Sequence, residues 1–567
     1  MNIMFLKPMV FLVCSQSFFL YADTDDLPAK NSRPLEEVVV TAQRRTEPLQ
    51  HVPIAVTAFD DDEIEMAGIA TMNNLSLHTP GFVISNYNKT TPQFFIRGIG
   101  SNASGASDDS SVALFIDDVY ISRPGSFDGD IFSVDSIEVL RGPQGTLYGK
   151  NVVGGVIKVT SKKPSDDATV KLATELGHLD HQNLQAYVNA PLGMNAAGNF
   201  SVSRQRRDGF VKNTVTEEKE RDEDSVSLRG RLEFCPDDDT ELSLILDSSK
   251  GRLNGSGRVL MGELFFGLPA PSLNDLYRTD TPVVGFTDSD SQGISFSANI
   301  NTTHWRWTAI SAYRKNDYSF EEDIIPTQLI RTVVNLVDEE SQQFSQEIRV
   351  TNHNSGEHEF TAGMYYLNEY VDRIESWDLR ELAVLFGVPA SVASGEIDTF
   401  DANNKTNSYA VFSQWDYHFT DTMTLSLGGR YTRESKEFKS CATGSNLLDF
   451  NFLIEPYCNV DETDTWTDFS PKTVLMYEPR ESLHWYLSYT KGFKSGAFNS
   501  LADSRASAVS SVDPESANQF ELGLKSIWFD KSLRLNAVVF TIDYDDLQVF
   551  VVAENGSFFV ENAAEAT

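Results

Sequence analysis

Residues 133–164 read SVDSIEVLRGPQGTLYGKNVVGGVIKVTSKKP, and the fold depends on how they are read. Two apolar runs with strand character, 137–140 and 156–160, flank a segment carrying Gly142, Gly145, Gly149, Gly154 and Gly155, with Pro143 after the first glycine. Glycines at this density let a backbone turn sharply and lie close to other backbone. Glu138 sits within the first run, Arg141 at its exit, and Tyr148 and Lys150 within the turn region. A phosphate-cradling loop needs G-x-x-x-x-G-K-[ST]. Here Gln144 stands where the first glycine belongs, and Asn151 follows Lys150. The stretch is therefore a tightly folded strand–turn–strand unit without a nucleotide signature.

Composition narrows the rest. A formal charge of −36 over 567 residues argues against nucleic acid as a partner, though it is also what an acidic soluble surface would give. Beyond the N-terminus no window offers the ~20 apolar residues of a membrane helix. Aromatic residues make up 11 %, which suits β structure and interfacial girdles. Cys14 lies in the leader and Cys235 stands alone, while Cys441 and Cys458 flank a short loop that a disulfide would staple in an oxidising compartment. There is no CxxC, HExxH or nucleophile elbow. No catalytic centre, metal site or cofactor is expected, so function must lie in binding and gating.

In chain order, residues 1–22 have the build of a secretory signal peptide, with Lys7, an apolar stretch over 9–21 and a small residue at Ala22. Residues 23–47 form a polar tail interrupted by a β-branched run: Glu36, Glu37, Val38, Val39, Val40, Thr41 and Ala42. That run is either the first edge strand of the next domain or a detachable strand offered to a partner's sheet. Residues 48–165 form one compact α/β domain, with strands at 54–59 and 94–100, helical turns at 60–66 and 70–75, and a strand–turn–strand at 113–120 centred on Asp117 and Asp118.

From 166 to 567 the texture changes to strand-length runs with period-two alternation, the mark of membrane β-strands. Leu242, Leu244 and Leu246 alternate with Ser243, Ile245 and Asp247; Leu425 and Leu427 alternate with Ser426 and Gly428. Short connections at 236–240, 352–357, 420–421, 479–482 and 529–531 alternate with long ones at 251–293, 372–404, 435–463 and 492–515. Short turns at one end and long loops at the other are the asymmetry of an outer-membrane barrel. The expected architecture is a transmembrane antiparallel β-barrel with the N-terminal α/β domain in its lumen. About 15–16 strands are legible, whereas plugged transporters have 22, so an incomplete barrel is expected.

The motifs carry a family resemblance. E-V-L-R-G-P-x-G-x-L-Y-G followed by G-G-V-I-x-V-x-S-K-x-P, with FFIRGIG at 94–100 and FIDDVY at 115–120, resembles the plug domain of TonB-dependent outer-membrane receptors. EEVVVTA at 36–42 resembles the TonB box that the energy-coupling protein grips. The resemblance implies a receptor in the outer membrane of a Gram-negative bacterium. TonB and its inner-membrane energising complex would be partners, with lipid and lipopolysaccharide around a monomeric barrel. It implies a small-molecule cargo, first a ferric siderophore, with vitamin B12, haem or an oligosaccharide as alternatives; from another class, the competing reading is a passive diffusion porin. Arg97, Gly98, Gly100 and Arg141 fall on plug motifs. The family pattern has such arginines pairing with barrel-wall glutamates, here Glu521 first and Glu347 second; local pairing within the plug is the alternative. The 101–111 loop is either a substrate-facing apex or a solvated connector. Loop aromatics such as Phe265, Phe266, Trp377 and Phe450 either stack on cargo or pack locally. The carboxylates at 288–290, 321–323 and 461–464 either bind bridging cations or are solvated.

Overall fold

The computed structural model describes residues 37–567 except 87–91, 102–104, 124, 126–130, 260–274, 327–329, 354–355, 386, 388, 394–396, 445–454, 553–557, 564 and 567. Residues 1–36, and with them the leader and Glu36, lie outside the described residues, as do Phe265, Phe266 and Phe450.

The N-terminal domain is built on a five-stranded sheet in the order Val56–Asp60, Val134–Arg141, Gly155–Ser161, Val112–Ile116, Val119–Ile121. The two runs of the 133–164 stretch are its centre, paired antiparallel with Val156 opposite Leu140 and Lys158 opposite Glu138. One helical turn, Gly145–Tyr148, lies between them. Side chains alternate across the sheet. Ile137, Val139, Ile157 and Leu114 go to a core closed by the helices Asp61–Met66 and Met72–His78. Leu140, Val156 and Phe115 go to a second core on the opposite face. The first helix begins with a capping box, Asp60 accepting from Glu63 N and Glu63 reaching back; Thr71 caps the second.

Fifteen antiparallel strands make one continuous sheet: Thr169–Gly177, His181–Gly193, Ala196–Arg207, Glu223–Asp237, Thr240–Asn254, Phe286–Asn301, Trp305–Asp323, Val334–Asn352, His358–Asp378, Ile397–Thr420, Met423–Thr443, Tyr457–Arg480, Leu483–Lys494, Glu515–Trp528 and Leu533–Asp545. The first and last are the two ends of that sheet. Its polarity is inverted relative to a soluble protein. Along Val334–Asn352, Gln343, Ser345, Glu347 and Arg349 face inward and are buried, while Phe344 and Ile348 face out, 41 % and 47 % exposed. Nothing but lipid suits an outer surface of this kind. The inner face wraps the N-terminal domain, with ion pairs to it from strands as far apart as Glu223–Asp237 and Glu515–Trp528. No helix among the described residues is long and apolar enough to cross a membrane.

Two expectations need correction. The strand read over 94–100 is two strands, Pro92–Ile96 and Ile99–Gly100, because Arg97 and Gly98 both take positive φ and reverse the chain. Three of the four long connections are shorter than the sequence suggested, while that at 492–515 runs nearly as read. Strands run to Asn254, Asp378 and Thr443 and resume at Phe286, Ile397 and Tyr457. These extensions stand beyond the ~10 residues needed to cross the bilayer. There both faces of the ribbon are wet, so polar residues such as Asp288 and Asp290 replace the apolar alternation.

Candidate functional site

The 37–42 segment is folded back rather than free. Val39–Val40 pairs antiparallel with Glu47–Pro48 of its own tail. Val38, Val40 and Ala42 are buried in the second core with Leu140, Leu147 and Tyr148, and with Leu367 and Phe412 of the barrel wall. Val39 points away and is 50 % exposed. Glu138 Oε1 accepts from Thr41 N and Thr41 Oγ1, both at 2.8 Å, and Tyr148 OH donates to the Ala42 carbonyl at 2.9 Å. Lys158 Nζ donates to Thr41 Oγ1 at 2.6 Å. So Glu138 and Lys158, side by side on one face of the central sheet, together hold Thr41.

The next three residues tie this segment to the barrel. Gln43 Oε1 accepts from Gln414 Nε2 and Lys472 Nζ at 3.0 and 3.1 Å. Arg44 pairs with Asp118 at 2.9 Å and Glu347 at 3.8 Å, its guanidinium lying over the Tyr148 ring. Arg45 pairs with Glu359 and, at 3.3 Å, with Asp416. Lys525 Nζ donates to the carbonyls of Leu49 and Val52 at 2.7 and 2.5 Å.

The Asp117–Asp118 turn, with φ of 49° and 66°, joins Val112–Ile116 to Val119–Ile121 as a tight hairpin. Its two carboxylates go to different walls. Asp117 meets Arg229 at 3.0 Å; Asp118 meets Arg44, Lys158 and Arg349, each at 2.9 Å. Burial pushes the Asp118 carboxyl up, but Lys158, Arg349 and Arg44 outweigh it and hold it well below the usual range.

Arg97 Nη2 lies 2.7 Å from Glu521 Oε2 on the wall, Arg97 Nη1 donates to Gln519 Oε1 at 2.7 Å, and Tyr486 OH donates to Glu521 Oε1 at 2.7 Å. Arg141 makes no such cross-pair, and Glu347 meets an arginine of the tail, Arg44, rather than Arg97 or Arg141. Arg141 Nη2 hydrogen-bonds Thr57 Oγ1, with no carboxylate in ion-pair reach among the described residues. Burial, with Arg97 beside it, pulls its pKa down. Arg97 already holds Glu521. Glu347 is engaged by Arg349 at 2.7 Å and by Arg44.

The glycines explain how the domain sits so close to the wall. A Cβ on Gly142, whose φ is +86°, would lie 2.2 Å from Gln519 Oε1; one on Gly145 would lie 2.4 Å from the Lys491 carbonyl. Pro143 and Gly492 pack beside them, and a Cβ on Gly149 would reach the Arg430 guanidinium. Gly154 and Gly155 do the same service inside the domain, against Ile99 and Leu140, and Gly100 against Phe94 and Phe95.

Toward the long-loop end, Asp109 accepts from Lys436 at 2.8 Å, Lys150 at 3.4 Å and Asn151 at 2.8 Å, and Lys150 also reaches Glu434 at 3.0 Å. Burial opposes the Asp109 charge, and the two lysines reverse that, holding the carboxyl below its ordinary range. In the described part of the 101–111 loop, Ser107 and Asp109 are buried and tied to the wall rather than solvated, Lys436 donating to the Ser107 carbonyl at 2.7 Å. Trp377 packs edge-on to Phe400. The acidic runs are strand residues paired across strands, as Asp290 with Lys250 at 2.6 Å and Asp461 with Lys439 at 3.4 Å. Cys441 and Cys458 form a disulfide between neighbouring strands, and Cys235 is free and exposed.

Sequence reasoning missed Gln43, Arg44, Arg45, Lys158 and Asp109 as participants. Nothing local marks them, since each acts on a residue distant in the chain. One described group, His51, Glu478 and His484, has its ligating atoms close enough together for a metal ion.

Comparison with known proteins bears on this arrangement. Residues 48–156 match the family model described as TonB-dependent Receptor Plug Domain, and residues 236–567 the one described as TonB dependent receptor-like, beta-barrel. The catecholate siderophore receptor Fiu of Escherichia coli K12 is 22 % identical over 93 % of this chain and 71 % of its own. The pesticin receptor of Yersinia enterocolitica serotype O:8 is 22 % identical over 88 % of this chain and 68 % of its own. The crystal structure of the ferric yersiniabactin uptake receptor FyuA from Yersinia pestis matches with a TM-score of 0.75 at 18 % identity, covering 90 % of this chain and 74 % of that one.

Proposed function

The chain belongs to the TonB-dependent receptors, a family of transporters, and from that premise we propose that it imports a ferric siderophore across the outer membrane of a Gram-negative cell. The relatives named for catecholate siderophores and for ferric yersiniabactin support that cargo over vitamin B12, haem or an oligosaccharide. The observation that carries the transport reading is the stowed 37–42 segment. A short β-branched strand is held to the plug by Glu138, Lys158 and Tyr148 and is continuous with ion pairs from Arg44 and Arg45 to the barrel. A passive pore has no need of such a device.

In this reading, residues 36–42 are the TonB box. Cargo settling on the long-loop end disturbs the plug through Ser107, Asp109 and Lys150, which bridge to the wall there. At the other end, loss of the Thr41 and Arg44 contacts frees the box. The stowed ladder is short, Val39–Val40 against Glu47–Pro48 with Leu49 N–H donating to the Val38 carbonyl at 2.8 Å, so it is easily exchanged. TonB then adds the strand to its own sheet, where main-chain hydrogen bonds bear the load. The plug is held to the wall largely by charged and polar contacts rather than by its own core, so it can be shifted without melting the helix-covered core. The receptor acts as a monomer, its apolar outer band in lipid and its paired surface charges at the lipopolysaccharide level.

Radioiron uptake, measured in cells expressing this receptor and no other, tests the cargo. A panel of catecholate, phenolate and hydroxamate ferric chelates, with haem and cobalamin as controls, should yield saturable, competable uptake of at least one chelate. Uptake of haem or cobalamin alone would replace the cargo; unsaturable leakage of all of them would replace the class.

A further inference from the structure

At the short-turn rim of the barrel, three side chains from two parts of the molecule converge. His51 lies at the end of the tail hairpin, its N–H donating to the Pro48 carbonyl at 3.0 Å. Glu478 and His484 flank the turn at 481–482 between the strands Tyr457–Arg480 and Leu483–Lys494. Glu478 Oε1 is 3.2 Å from His51 Nδ1 and 2.5 Å from His484 Nδ1, and all three ligating atoms lie within 4.8 Å of one another. His484 is buried and His51 is half-exposed, so the cluster is anchored on one side and open to water on the other.

We propose that His51, Glu478 and His484 form a zinc(II) site that clasps the plug's N-terminal tail to the barrel rim. Two imidazoles and one carboxylate are a donor set that zinc takes and that calcium and magnesium, which prefer oxygen, do not. His484 is already oriented as a ligand, because its Nε2–H donates to the Glu481 carbonyl at 2.9 Å and leaves Nδ1 toward the cluster. That back-side hydrogen bond is the usual support of a metal-bound histidine. Tetrahedral ligands at 2.0–2.1 Å from zinc stand about 3.3 Å apart. The His51–Glu478 spacing already meets this; the His484–Glu478 contact must open by about 0.8 Å as zinc replaces the proton bridging them. Water completes the fourth position from the exposed side.

The consequence is mechanical. His51 lies just beyond the box and the Glu47–Pro48 strand, so once Thr41 is released a pull along the chain reaches this clasp before the sheet strand Val56–Asp60. Lys525, on the Leu49 and Val52 carbonyls, holds the same turn. Zinc would set how far the tail peels back.

The test uses the full-length, untagged receptor in detergent, stripped with chelator and titrated with Co(II) and then Zn(II). The expected result is one Co(II) per receptor with d–d absorption of a four-coordinate nitrogen–oxygen site, displaced by one Zn(II), and at least a tenfold loss of affinity in His51→Ala. That variant alters a half-exposed side chain on the tail and leaves the barrel intact; Glu478→Gln is the second variant and should lose affinity likewise. Proteolysis of the tail should slow when Zn(II) is added to the wild type and not to His51→Ala. Absence of stoichiometric binding, or binding that His51→Ala leaves unchanged, overturns the proposal. Either outcome leaves the import reading untouched, because uptake is not the readout.

Discussion

Arg97 and Glu521 meet with side chains 4 % and 2 % exposed, so each charge depends on the other for its burial. Removing one partner strands the other; such losses cost about 3–5 kcal/mol, whereas replacing both costs far less. Arg97→Met should therefore lower the stability of the plug by that amount, and Arg97→Met with Glu521→Gln should recover most of it, as read by urea unfolding followed from a probe on the plug. Equal losses in the single and double variants would mean that the pair is not coupled. Glu47 makes a second residue-scale claim. Burial raises its carboxyl to about 7, against Arg45 and with Asp416 and Glu359 adding to the rise. A carboxyl whose docked pKa exceeds its free value of 4.5 favours docking fully below that value, and the contribution disappears as pH rises through about 7. In a Cys235→Ser background, a spin label at Val39→Cys should show a more mobile tail at pH 8 than at pH 5.5, and Glu47→Gln should flatten the difference. No pH dependence in the parent would refute the assignment.

At the scale of elements, the 133–164 hairpin works by closeness to the wall. Gly142→Ala forces a side chain onto a φ of +86° and onto Gln519, the partner of Arg97, so a loss of about 1–3 kcal/mol is expected. Gly81→Ala is the control. Its φ is +78°, but nothing lies within 4 Å of the added Cβ, so only the backbone cost remains. Equal melting shifts in the two variants would remove the wall contact from the argument. Much of this was readable in advance. The glycine spacing announced the tight unit, and the Leu242–Asp247 alternation announced a membrane strand, because both are local and periodic. The upper halves of strands such as Phe286–Asn301 were not readable, because water on both faces erases the period. Nor were the partners of Asp117 and Asp118 readable. A hairpin turn can be read from two adjacent acids, but the arginines they meet lie more than 70 residues away in the chain. The Val38–Ala42 run reads as an edge strand or a detachable one, but its partner in the stowed state, the Glu47–Pro48 strand of its own tail, was not readable.

For the whole molecule, the plug is fastened to the barrel at points spread over its height. Arg44 and Arg45 hold it at the tail, Asp117 and Asp118 on two walls, Arg97 against Glu521, and Asp109 and Lys150 toward the long loops. A plug fastened in this way does not leave by thermal opening, so in the proposed mechanism passage of cargo needs work done from the box. The direct measurement is uptake of the ferric chelate that the panel identifies, compared between wild type and Val39→Pro, with surface binding measured on the same cells. Val39 faces outward opposite Pro48, so the stowed hairpin tolerates the change, whereas a strand added to a partner's sheet loses a main-chain donor. The account predicts unchanged binding and uptake reduced at least tenfold. Uptake that persists at the wild-type rate would contradict it and return the barrel to the class of passive pores.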